Sequence, residues 1–294
     1  MSAGTAGHVA RSTVRPNSET IRPTPLRTFL HTDDGVTIDS VYEPRAAVYD
    51  ASPPPSGDLV FVVAHGFTGD VDKPHVRRVA GAFAQYGAVV TFSFRGHGRS
   101  GGRSTVGDRE VLDLAAAVAW AREQGHARVV TVGFSMGGSV VLRHAALYGP
   151  QKHPDGQGRG GRTDAHTDAV VSVSAPARWY YRGTAPMRKV HWLVTRREGR
   201  LVGRYGLKTR IDHSGWDPVP LSPVEAVPRI APTPLLVVHG EIDGYFPLDH
   251  PRMLAAAAGD HAELWLEPGM GHAEHAATDD LLARIGRWAG SQES

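Results

Sequence analysis

Short, continuous apolar runs rich in β-branched residues recur at 59–63 (LVFVV), 88–92 (AVVTF), 129–132 (VVTV), 169–173 (AVVSV) and 235–238 (LLVV). A strand covered on both faces has no side on which to show polar residues, so such runs predict buried strands of a parallel sheet. The segment 36–42 (VTIDSVY) alternates instead and predicts a half-exposed strand. Helical spacing over about 74–86, 108–124 and 136–148 fills the intervals between runs. Strands alternating with helices need crossover connections, which predicts an α/β fold: a mostly parallel central sheet with helices on both faces. In such sheets ligands meet the protein at the carboxyl ends of the strands, so the loops after each run are where chemistry is expected.

Three segments break the rhythm. Residues 1–25 mix Ser, Thr, Arg and Pro with no apolar run long enough for a signal-peptide core, and are expected to be a disordered tail of a cytoplasmic protein. Residues 149–168 are Gly-rich, polar and aperiodic, and predict a surface loop. Residues 176–232 are far too many for an ordinary crossover and carry their own helical patterning and aromatics. They are expected to form a small lid inserted into a core made of 26–175 and 233–290. No apolar stretch approaches the length of a membrane span.

The composition, 41% hydrophobic and 21% charged, is that of a globular protein. With no Cys among 294 residues, disulfide scaffolds, Cys-ligated metals and a cysteine nucleophile are excluded. The net charge of +2 conceals segregation. Residues 178–210 hold ten Lys and Arg against the single acid Glu198, a net of +9, and leave −7 on the rest of the chain. A solvated basic face is one reading; attraction of an anionic substrate or surface is the other. The segment contains no recognisable nucleic-acid module, so no nucleic-acid partner is expected.

The chemistry centres on Gly133-Phe-Ser135-Met-Gly137, which follows one predicted buried strand and opens the helix at 136–148. A strand-to-helix turn this tight brings the positions two residues either side of the serine into contact, which accounts for both glycines and lifts the hydroxyl clear of the sheet. A serine hydroxyl is a weak nucleophile that needs a base and an orienting acid, expected later in the chain after further strands. The loop after 235–238 offers Glu241, Asp243 and Asp249; the loop after 262–266 offers His272 and His275. A tetrahedral oxyanion needs two pre-aimed N–H donors, one of them on the residue after the nucleophile, Met136.

Together these residues resemble the α/β-hydrolase superfamily. In that family the acid is the Asp of an H-G-x-x-D-x-x-x-P loop and the base the His of a G-x-G-H loop, which the resemblance places at Asp243 and His272. The stretch His65-Gly66-Phe67 resembles the family's oxyanion loop, which implies the Phe67 amide as the second donor. The neighbouring Asp70 and Asp72 are read as solvated. Residues 92–102 resemble the element that braces the elbow, with Arg95 and His97 expected to be structural and Ser93 standing where family members usually carry Asp. The HGFTGD and SFRGHGRSGG pair resembles bacterial carboxylesterases, including cinnamoyl-ester hydrolases and monoacylglycerol-lipase-like enzymes.

The implied reaction is hydrolysis of a small-molecule carboxylic ester, anionic or aromatic, through an acyl-enzyme, with no cofactor. An acyltransferase, thioesterase or peptidase uses the same triad, and a non-catalytic binding protein is the reading of a different class. A dehalogenase or epoxide hydrolase carries Asp at the elbow and is excluded by Ser135. Trp179, Tyr180 and Trp192 are candidate substrate-binding residues, although the insert's aromatics, with Tyr181, Tyr205 and Trp216, are most economically explained by packing between insert and sheet. Metal is not expected: the H-A-E-H of 272–275 reads as an accident of a chain with 16 His.

Overall fold

The computed structural model describes residues 24–46, 59–149 and 164–292. The expected tail at 1–25 and the polar loop at 149–168 therefore lie, except for their last or first few residues, outside the described residues.

An antiparallel pair opens the chain, β1 (Leu26–His31) and β2 (Thr37–Glu43). The strand-helix alternation follows: β3 (Leu59–Ala64), α1 (Pro74–Phe83), β4 (Ala88–Phe92), α2 (Glu110–Glu123), β5 (Arg128–Phe134), α3 (Met136–Leu147) and β6 (Ala169–Val173). After a long excursion come β7 (Leu235–Gly240) and β8 (Ala262–Glu267). One eight-stranded sheet results, in the order β1-β2-β4-β3-β5-β6-β7-β8, parallel from β4 to β8. The half-exposed strand expected at 36–42 is more buried than its alternation implies: Asp39 and Ser40 have no exposed surface. Asp39 is paired with Arg27 of β1 and its amide donates to Ser100 Oγ, which satisfies the polar groups and lets the strand sit inside.

The two-residue period of a strand sends alternate side chains to opposite faces, and β3 uses both. Val60, Val62 and Ala64 join one core with residues of α2 and α3; Leu59, Phe61 and Val63 join a second with Val79 and Phe83 of α1. Each such buried Val, Leu or Phe contributes about 2 kcal/mol relative to exposure. This two-sided burial is what makes the central strands read as unbroken apolar runs. The second core is completed by Leu281, Leu282 and Ile285.

Between β6 and β7 the chain forms α4 (Ala185–Thr195), α5 (Arg197–Gly206) and a single turn, α6 (Pro223–Ala226). Thr184 caps α4 by accepting the Met187 amide, and Pro186 occupies the first turn, where no amide hydrogen is needed. Bridges between His97 and Thr209 and between Ser104 and Ile211 tie the excursion to the loop after β4. From α6 onward it rejoins the body, since Ala226, Val227 and Ile230 are buried in the first core. After β7 the chain ends with α7 (Asp249–Ala258), α8 (Ala273–Ala276) and α9 (Asp279–Ser291). No helix among the described residues is long and apolar enough to cross a membrane.

Candidate active site

Ser135 sits between β5 and α3 with φ +51° and ψ −113°, a backbone conformation that side chains rarely adopt and that costs on the order of 1–3 kcal/mol. Its surroundings enforce the turn. A Cβ at Gly133 would overlap the Gly137 carbonyl, and one at Gly137 would overlap the carbonyls of Ala64 and His65 at the end of β3. The Ser135 amide donates to Val173 O at 2.8 Å, so the elbow is pinned to the next strand as well.

Residues from three strand ends converge on this hydroxyl. His272 Nε2 lies 2.9 Å from Ser135 Oγ, and His272 Nδ1 lies 2.8 Å from Asp243 Oδ2. Asp243 is the acid brought to the histidine, while Glu241 and Asp249 of the same loop are exposed to solvent. Burial opposes ionisation of Asp243, but the bonds from His272 and from the Tyr245 amide outweigh it and hold the carboxyl below the usual carboxylate range. The Tyr245 ring stacks on His272, with centroids 4.1 Å apart and planes 22° apart. His239 supports the loop from behind: its Nε2 donates to Phe246 O at 2.8 Å.

The loop after β3 reaches the same place. Phe67 and Met136 line a cavity with Ser135 and His272, and neither backbone amide has a hydrogen-bond partner among the described residues. Two buried histidines hold the loop. His65 donates from Nδ1 to Gly66 O and accepts the Phe94 amide on Nε2; burial pushes its pKa down to about 3, so it stays neutral. His97 accepts the Thr68 amide and donates to Arg95 O. Arg95 bridges Asp34 and Asp113, in the structural role expected of it. Ser93, in place of the usual Asp, accepts the Val71 amide. Of the neighbouring acids, Asp70 is buried rather than solvated, whereas Asp72 is exposed as expected and pairs with Arg27 at the surface at 2.8 Å. The turn of 70–73 folds back on the sheet, which sequence spacing does not reveal.

The cavity measures about 1060 Å³. Trp179, Tyr180 and Trp192 all line it. Packing between insert and sheet does not account for the aromatics as a group. Trp179 and Trp216 face each other at 5.0 Å, their indole N–H groups bonded to Pro220 O and Thr105 O, whereas Tyr180, Trp192 and Tyr205 remain exposed.

Two supporting residues went unseen in the sequence. Glu274 is buried, and its Oε1 accepts the Gly66 amide at 3.0 Å, next to Phe67. Ser174 accepts the Ala273 amide at 3.1 Å and so positions the peptide that follows His272. A lone Glu and a lone Ser carry no motif; only the H-x-E spacing at 272–274 hinted at the first.

A family model described as "Alpha/beta hydrolase family" matches residues 59–285. The chain belongs to this family. Monoacylglycerol lipase of Mycolicibacterium smegmatis is 30% identical to this alpha/beta hydrolase over 248 residues, 76% of this chain and 85% of that one. Among solved structures, an esterase of Pyrococcus furiosus, Pf2001, superposes with TM-score 0.66 at 20% identity, over 92% of this chain and 94% of the other. Est1E of Butyrivibrio proteoclasticus, solved with ferulic acid bound, superposes with TM-score 0.53 at 17% identity, over 90% and 96%. These two likenesses concern the fold.

Proposed function

We propose that this carboxylic ester hydrolase works as a serine esterase through an acyl-enzyme. The observation that carries the reading is the unbroken line from Asp243 through His272 to Ser135, at 2.8 and 2.9 Å. Ser135 Oγ attacks the ester carbonyl while His272 Nε2 takes its proton. The ionised Asp243 holds Nδ1–H, fixing the tautomer and stabilising the imidazolium. The carbonyl oxygen becomes an oxyanion, received by the Phe67 and Met136 amides, which are free to donate. His272 returns the proton to the leaving alcohol, and a water activated by the same histidine releases the acid.

Residues 176–222 act as a cap over this site, with Trp179, Tyr180 and Trp192 contacting substrate. A cavity of about 1060 Å³ lies at the upper end of the range for small-molecule sites and suits a long acyl chain or an aryl acid. The Mycolicibacterium relative, a monoacylglycerol lipase by name, supports glycerol monoesters as the first class to assay. Arg182 and Lys189 on the wall favour esters that also bear a negative charge.

The test is Ser135→Ala against a panel of ester, thioester and amide substrates. Loss of the acylation burst and of fluorophosphonate labelling is expected; a variant that turns over p-nitrophenyl esters at the parent rate overturns the assignment.

A further inference from the structure

One group of donor atoms at the edge of the cavity lies outside the Asp243–His272–Ser135 line. His75, on the first turn of α1, faces Glu274 and His275 of α8, and one ligand atom from each lies within 4.8 Å of the other two. His75 Nε2 is 3.8 Å from Glu274 Oε1, too far for a hydrogen bond, and is buried with no hydrogen-bond partner among the described residues. A buried ring nitrogen left in that condition is costly, on the order of 1–3 kcal/mol. The His275 ring lies 3.8 Å from that of His75, centroid to centroid, and is itself exposed on the cavity wall. Arg78 holds the two helices together by donating to Glu274 O and Ala277 O, both at 2.8 Å, so residues almost 200 positions apart are assembled in advance.

We propose that His75, Glu274 and His275 form an inhibitory binding site for Zn²⁺ at the edge of the active-site cavity. Two imidazole nitrogens and one carboxylate oxygen are a donor set that zinc takes, with a fourth position open to water from the cavity. Mg²⁺ and Ca²⁺ demand oxygen ligands and are poorly served by imidazole. Zinc–ligand bonds of roughly 2.0–2.2 Å require the three donors to close in by about 1 Å, a motion open to the exposed His275. Inhibition follows from the carboxylate. The oxygen facing His75 is the one that accepts the Gly66 amide, so a bound cation competes with the anchor of the loop that carries Phe67. This consequence rests on the proposed role of the Phe67 amide; the binding itself does not.

Calorimetric titration of the full chain with ZnCl2, beside initial rates on a p-nitrophenyl ester, tests both parts. One tight zinc equivalent is expected, unaffected by Mg²⁺ or Ca²⁺ in excess. His75→Gln and His275→Gln should each weaken it by roughly tenfold or more, the cost that even outer partners of metal ligands carry. Zinc should lower kcat of the parent, and His75→Gln, with the parent's Tm and metal-free kcat, should need a correspondingly higher concentration. Affinity unchanged in both variants would put the metal elsewhere and overturn the site; tight binding that leaves kcat untouched would overturn inhibition. A parent without esterase activity would count against the esterase reading alone, since calorimetry still decides the metal.

Discussion

Glu274 Oε1 accepts the backbone N–H of Gly66 at 3.0 Å, joining the loop after β8 to the loop after β3. The bond links the segment that carries His272 to the one that carries the Phe67 amide, so base and oxyanion donor are set against each other by a single buried carboxylate.

Removing that carboxylate should cost catalysis more than binding. Glu274→Ala is expected to lower kcat by roughly 10- to 100-fold, the scale of an ångström's misplacement, with KM nearly unchanged. Glu274→Gln, whose amide oxygen can still accept from Gly66, should retain most of the rate. Steady-state kinetics on one ester decides; equal losses in the two variants would remove the anchoring role.

Asp243→Asn should keep the fold and lose the reaction. Asn can still accept the Tyr245 amide, but its carboxamide cannot stabilise the imidazolium, and a fall of about 10⁴-fold in kcat is expected. Glu241→Gln, at an exposed position of the same loop, should leave kcat within about twofold of the parent.

At Gly137 the expected defect is in folding. A Cβ there meets the Ala64 and His65 carbonyls, and backbone cannot step aside as a side-chain tip can. Gly137→Ala should destabilise by at least ~3 kcal/mol, visible as a lowered Tm or insoluble expression. Gly244→Ala, which meets nothing within 4 Å, is the matched control.

Between about pH 6.5 and 5 acid should destabilise the protein through its buried histidines, even though burial raises the Asp113 carboxyl to about 7 and offsets part of the loss. Burial holds His65 and His144 down to about 3 and His97 to about 4, below the ordinary histidine value near 6.5. The unfolded chain therefore binds more protons than the folded one once pH drops below about 6.5. The stability present above that pH is lost progressively down to about 3–4, at up to ~1.4 kcal/mol per pH unit for each ring. Tm should fall by roughly 10 °C or more between about pH 7.5 and pH 5, and a flat profile would contradict the neutral assignment.

Salt should distinguish the two readings of the basic insert. If Arg182 and Lys189 draw substrate into the cavity, kcat/KM for an anionic ester falls between about 0.05 and 0.5 M salt while that of a neutral ester with the same acyl group stays constant. Identical salt profiles would return the +9 segment to the role of a solvated face.

The α/β layering was legible in the chain's patterning, because strands buried on both faces must be apolar throughout, and the three helices that patterning singled out lie within about three residues of their observed ends. It also singled out Ser135, since Gly133 and Gly137 record a steric demand local to five residues. The choice of Asp243 over Glu241, and of His272 over His275, came with the family resemblance, and tertiary structure alone brings the two chosen residues within hydrogen-bond distance of each other. Helices α7 and α9 and strand β1 lie outside the patterns that spacing singled out.

The contacts that span the chain without a motif arise from the fold in three dimensions. Glu274 meets Gly66, Arg210 meets the carbonyls of Ser100 and Gly102, and His75 meets His275. Each joins loops or helices whose separation in sequence is set by the strands between them. Local patterning responds to burial and to backbone sterics within a few residues; a partner a hundred or two hundred positions away leaves no trace in it, and becomes visible when the sheet order brings the loops together.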